Sequence, residues 1–262
     1  MTTTVTSRVP RSRYGLPHAV RMEWIKLRSL RSTWWALAAT VAGAVSIAVA
    51  VGVNTKDPTG DLTNNALSGI SLGLLLTGVL GVLLMTGEYS SGMLRATLTA
   101  IPNRPLVLTA KAAVFGAVAL AVGEVAAFVA FFAGGAALPG GMATPTLGQP
   151  GVLRAVVLSG AGYCLIGLLG LGLGAIIRHT PAAIAVLVGG VYVVAQLVAA
   201  FAPAIMPYLP IAIVANSLGV VQPVPIEGQL HFLSPWAGLG MLCLYAAVTL
   251  GVGAWLLARR DA

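Results

Sequence analysis

The chain has 262 residues, of which 58% are apolar and only 8% charged, and its mean hydropathy is +0.92. That balance excludes a soluble globular domain, which needs far more polar surface. The net charge of +8 does not point to nucleic acid either, because the Lys and Arg residues stand between apolar blocks instead of forming a basic face.

Residues 1–19 read as a disordered basic tail carrying Arg8, Arg11 and Arg13, and 20–262 as a single membrane domain. Val20 to Arg31 follows the tail. On a helical wheel Val20, Trp24 and Leu27 share a side, with Arg21, Lys26 and Arg28 away from it, the pattern of a helix lying in a headgroup interface. Long apolar blocks then predict transmembrane helices at about 33–53, 66–86, 112–134, 152–176, 181–203 and 236–258, since roughly 20 residues of helix cross a bilayer core. Unpaired backbone groups are costly in hydrocarbon, so blocks of this length are expected to be helix throughout. The first block ends Ala48-Val49-Ala50 after a basic stretch, but a leader of that size exceeds the usual 15 to 30 residues, and the block is read as a retained span.

The expected fold is therefore an all-α membrane protein of six transmembrane helices with both termini inside. In that orientation 13 of the 15 Lys and Arg residues are cytoplasmic, and only Lys56 and Arg154 are outside. The loop between the second and third spans, 87–111, is the longest internal one. It has helix-forming content around Met93 to Leu98 and a stop near Pro102.

Within the spans, glycine recurs at Gly69 to Gly73, Gly170 to Gly174 and Gly189-Gly190. Small residues at such spacings let helices approach closely, either inside one bundle or between two copies. Glu124 falls at the centre of the third span, where a charge costs on the order of 3 kcal/mol, so it reads as a residue lining a transport path or as a neutral packing carboxyl. Tyr192 and Gln196, at i and i+4, share a face of the fifth span and join it as path candidates or as plain interhelical hydrogen bonders. Cys164 and Cys243 are expected to be buried, inert thiols.

Gly69-Ile70-Ser71-Leu72-Gly73 fits the spacing of a hydrolase nucleophile but lies in an apolar helix, where the sharp strand-to-helix turn that this chemistry needs is not expected. His18 and His179 have no partner at metal-ligand spacing, and His231 stands in a distant loop, so no metal site is expected. The three lysines follow Ile25, Thr55 and Ala110, and none belongs to a Gly-Lys-Ser/Thr phosphate loop.

Two segments carry a family resemblance: Glu23-Trp24-x-Lys26-Leu27-Arg28-Ser29-x-Arg31-Ser32-Thr33-Trp34 and Glu88-Tyr89-x-x-Gly92-x-x-Arg95-Ala96-Thr97-Leu98. On these, from about residue 20 to the C-terminus, the chain resembles the permease subunit of ABC-2 type exporters of the actinomycete kind. The resemblance implies an amphipathic connecting helix at 20–31, with Trp24, Lys26 and Arg28, and a coupling helix around 88–100. There Glu88, Tyr89, Gly92 and Arg95 would meet a separate ATP-binding subunit holding ATP and Mg. It implies re-entrant turns, which Pro203 to Gly219 would supply, and a second permease copy or a sister permease. The expected activity is export of an amphipathic, lipid-like or drug-like molecule across the cell membrane, with no enzymatic site in this chain. Two other readings stay open: a non-transporting scaffold or sensor, and a gradient-driven carrier using Glu124 as its proton site.

Overall fold

The apolar blocks fold as helices whose lengths follow from their composition. The computed structural model describes residues 15–57, 60–101, 103–218, 220 and 232–259, and no strand occurs among them. An N-terminal helix α1 (Leu16–Ser29) is followed across Leu30 by α2 (Arg31–Asn54), a one-turn α3 (Leu62–Ala66), α4 (Ile70–Ser90), a short α5 (Met93–Ala100) and the 33-residue α6 (Arg104–Ala136). Then come α7 (Val152–Ile177), α8 (Thr180–Val188), a π-helical segment (Gly189–Val193), α9 (Val194–Phe201), a 3-10 segment (Pro203–Tyr208), α10 (Pro210–Leu218) and α11 (Pro235–Arg259). Five of these, α2, α4, α6, α7 and α11, are long and apolar enough to cross a membrane. The protein is a multi-pass α-helical membrane protein.

Helix α7 is the hub of the bundle, packed on α4, α6, α11 and α10, while α2 lies against α6 and α4. Glycine makes the α4–α7 seam. A Cβ on Gly81 would run into the Gly167 carbonyl, and one on Gly170 into that of Gly78, so both positions have to be glycine for the two backbones to come this close. Gly172 and Gly253 serve the α7–α11 contact in the same way. Gly73 is held under the Tyr163 ring and Gly69 against Ala44 of α2, so the residues that mimic a nucleophile motif are helix-packing positions. Around Gly189 and Gly190, by contrast, there is open space.

Several expectations shift. The stretch expected as a continuous fifth span is divided into α8, the π-helical segment and α9, with its hydrogen-bond register changed at the Gly189-Gly190 pair. The first helix begins at Leu16, so the last residues assigned to a disordered tail are ordered. The loop 87–111 is nearly all helix. Helix α4 runs on to Ser90, α5 fills Met93–Ala100, and α6 starts at Arg104, eight residues before the expected span. At about 1.5 Å per residue α6 is about 50 Å long, well beyond a ~30 Å hydrocarbon core, and its first turns serve another purpose. Pro102, expected to stop α5, is outside the described residues. The segment given to re-entrant turns holds the 3-10 segment and α10, which buries Ile213 and Val214 in the main core. Cys164 is half-buried and Cys243 is exposed on α11, so the second thiol is not buried as expected.

Candidate functional site

One end of the bundle gathers the start of α6, the ends of α4, α7 and α11, and the helices α1 and α5. Basic residues cluster there, and two arginines finish α11. Arg104 Nη1 donates to the Leu257 carbonyl at 3.1 Å and Arg178 Nη2 to the Leu256 carbonyl at 3.5 Å, placing positive charge where the helix dipole is negative. Arg178, itself in the left-handed conformation that ends α7 (φ 63°), also lies 5.1 Å from the centre of the Tyr89 ring.

Helix α1 is positioned by α6. Ala19, Glu23 and Leu27 recur at four-residue spacing and are buried. Ala19 packs with Ile101, Val107 and Ala110, and Leu27 joins a core that includes Leu94, Leu108 and Phe115. The expected apolar side of this helix was Val20, Trp24 and Leu27. Of that side Leu27 is buried and Trp24 exposed; Ile25 is exposed as well, and the side turned to the bundle carries the Glu23 carboxylate, because ionic partners await it there. Arg28 is exposed, as expected of a residue turned away from the bundle.

Those partners form a knot of four charges. Lys26 Nζ donates to Glu23 Oε1 at 3.0 Å, to Glu88 Oε1 at 2.9 Å and to Thr97 Oγ1 at 2.8 Å, which uses all three of its hydrogens. Lys111 Nζ donates to Glu23 Oε2 and, at 2.9 Å, to Glu88 Oε1. Glu23, Glu88 and Lys111 are all buried. Each carboxylate is thus held by both ammoniums, and four elements are joined: α1 through Glu23 and Lys26, α4 through Glu88, α5 through Thr97 and α6 through Lys111. Burial works against the Lys26 ammonium, but the Glu88 hydrogen bond and the charges of Glu23 and Glu88 outweigh it and hold its pKa above the ordinary lysine value. Such a network is costly to desolvate and costlier still to break, since removing one member strands a buried opposite charge.

The residues expected to meet a partner subunit divide between inside and outside. Glu88 faces inward and is buried. Tyr89 is half-buried beneath Arg178. Gly92 and Arg95 are exposed, with Met93, Ala96 and Thr99 on the same outward side of α5. Gly92 precedes α5 at φ +69°, a left-handed conformation that turns the chain sharply between α4 and α5 and favours glycine. Of the path candidates, the structure describes the side chains of Glu124 and Tyr192. Glu124 rests on α7, its carboxyl filling the space that a side chain at Gly160 would take, whereas Tyr192 donates to the Ser71 carbonyl of α4 at 3.3 Å. The side chain of Gln196 is outside the described residues, as is His231. No group of three metal-binding side chains occurs among the described residues.

Beside the ionic knot is a cavity of about 550 Å³ between the α1–α2 elbow, α4 and α6. Glu23, Lys26, Glu88 and Lys111 form one wall, while Leu80, Leu84, Val114 and Phe115 are among the apolar residues of the others.

Sequence reasoning named Lys26 and Glu88 but missed Glu23, Thr97 and Lys111 as site residues. A signal was present: of the chain's seven acidic residues, Glu23 and Glu88 flank spans on the same side as two of its three lysines. No family model matches the chain, and no curated protein matches it.

Proposed function

We propose that the chain is the permease subunit of an ATP-driven exporter, working with a separate ATP-binding subunit and a second permease copy or sister permease, both termini in the cytoplasm of the cell that makes it. The observation that carries this reading is the ionic knot. It ties an exposed helical segment, α5, to a helix at the mouth of the bundle and to two long apolar helices through buried, charge-assisted bonds. A push on the outward side of α5 by a soluble subunit would pass to α4 and α6 with little slack, the requirement for turning ATP-driven closure into a tilt of the spans. The excess of Lys and Arg at this end supports a cytoplasmic placement. The absence of a Gly-Lys-Ser/Thr loop from the sequence fits an energy source on another chain. The cargo class that suits apolar spans is an amphipathic, lipid-like or drug-like molecule.

The test is co-purification of the tagged chain from its native membranes. An ATP-binding subunit should accompany it, and Arg95→Glu on the outward side of α5 should abolish that association while the permease itself stays folded. Recovery of the native chain with no ATPase partner, or association indifferent to Arg95→Glu, would count against the proposal.

A further inference from the structure

The cavity at the α1–α2 elbow contains an unfinished helix start. The chain breaks at Leu30 between two helices, and α2 begins without a side-chain cap, because the residue in the capping position is leucine. Leu30, Ser32 and Thr33 line the cavity next to Leu27 and Ser29 of the last turn of α1, so the start of a 24-residue helix opens on it beside the end of a 14-residue one.

Thr33 supplies a second, independent observation. The span threonines Thr40, Thr77 and Thr86 each donate their hydroxyl to the carbonyl four residues earlier. For Thr33 that carbonyl belongs to Ser29, on the far side of the break. Its hydroxyl makes no hydrogen bond among the described residues, although the residue is only 6% exposed. An unpartnered hydroxyl on this largely buried threonine, at the cavity wall beside a helix N-terminus, is a place for an acceptor.

Two further features set the chemistry. The four-charge wall sums to no net charge, with both ammoniums on each carboxylate and only Glu88 Oε2 buried without a hydrogen bond, so an anion meets no net repulsion from it. The rest of the lining is mainly apolar, and at the rim Leu30, Leu83 and Met93 are exposed together with Ser29, Ser32 and Ser91, so the cavity opens on the outside of the bundle through a mouth with apolar and hydroxyl sides.

We infer that this cavity binds an amphiphile with an anionic head, a phosphate or a carboxylate, and a hydrocarbon body. The head accepts from the Thr33 hydroxyl at the start of α2, and the hydrocarbon runs along Leu80, Leu83 and Phe115 and out through the mouth. This site does not depend on the exporter reading. A bound amphiphile would wedge the α1–α2 elbow against α4 and so stiffen the end of the molecule that holds the ionic knot.

The experiment is native mass spectrometry of the full chain in mild detergent, titrated with dioleoylphosphatidylglycerol, oleate or dioleoylglycerol, with thermal unfolding in parallel to show that each variant is folded. One anionic amphiphile should bind per chain, roughly tenfold or more tighter than the uncharged dioleoylglycerol. Thr33→Val, which keeps the shape and removes the hydroxyl, should weaken it about fivefold. Leu83→Trp, at the exposed mouth, should weaken it at least about tenfold by filling the space. Equal binding of oleate and phosphatidylglycerol assigns the site to any anionic amphiphile, and binding of phosphatidylglycerol alone assigns it to a membrane phospholipid; either supports the inference. Dioleoylglycerol bound as tightly as the anions, or anion binding unchanged by both variants in folded protein, is the behaviour of a surface lipid belt and overturns it.

Discussion

The seam between α4 and α7 and the ionic knot at the basic end hold the same helix α4 by opposite means. At its closest points the seam has no side chains between the helices: Gly78, Gly81, Gly167 and Gly170 let two backbones touch, and its stability comes from many small dispersion contacts over a rigid surface. The knot consists of a few long, flexible side chains, Glu23, Lys26, Glu88 and Lys111, whose attraction is large but directional and exchangeable. A seam of backbone has one arrangement and either fits or fails. A ring of shared charges can pass a hydrogen bond from one partner to another, so the part of the molecule suited to small movements is the end where α1 and α5 are attached.

Five substitutions or conditions test that contrast. The largest effect is expected from Lys111→Met, which leaves two buried carboxylates with a single ammonium: a loss of about 3–5 kcal/mol, read as a fall in the thermal midpoint in detergent. Wild-type stability in that variant would mean that the knot is not a structural element. Gly170→Ala comes next. Its methyl group would press on the Gly78 carbonyl, a backbone atom that cannot rotate away, and the cost should be about 2 kcal/mol. Gly189→Ala, where a Cβ meets nothing within 4 Å, is the control and should be neutral or slightly stabilising. If both glycines behave alike, the seam is not backbone-limited.

A smaller loss, about 1 kcal/mol, is expected for Gly92→Ala, because its φ of +69° penalises any Cβ even though the surrounding space is open. The smallest effect is a pH dependence. The Lys26 pKa is raised in the folded protein, so its contribution to holding α1 is complete below the ordinary lysine value of 10.5 and is lost as pH rises through the higher folded value. Hydrogen exchange of α1 amides, corrected for intrinsic rates, should therefore show no change in Lys26-dependent protection between pH 7 and pH 9. Loss of that protection within this range would show that Lys26 is not held by the two carboxylates.

The membrane class, the positions of the long apolar helices and the existence of a short helix near Met93 were legible in the sequence, because length and hydropathy are local properties and hydrocarbon leaves the backbone few alternatives. The glycine clusters were visible, but whether they faced a neighbour in the same bundle was not. Gly170 and Gly189 look alike in sequence, yet one touches backbone and the other open space. Glu88 was chosen as a surface contact and is buried. Glu23 was not singled out and is buried, since a wheel drawn from hydropathy assigns charges outward and cannot know that a lysine 88 residues away will meet it.

Composition by itself determined that this chain belongs in a bilayer, and the placing of its basic residues marked one end of it. Only the tertiary structure decided that Lys111 belongs to a helix instead of a loop, that four charges from α1, α4 and α6 share one buried knot with Thr97 of α5, and that α2 starts uncapped beside a cavity. The reason is physical: transfer into hydrocarbon is summed residue by residue along the chain, whereas a buried ion pair exists only where the fold brings distant residues within about 3 Å of each other.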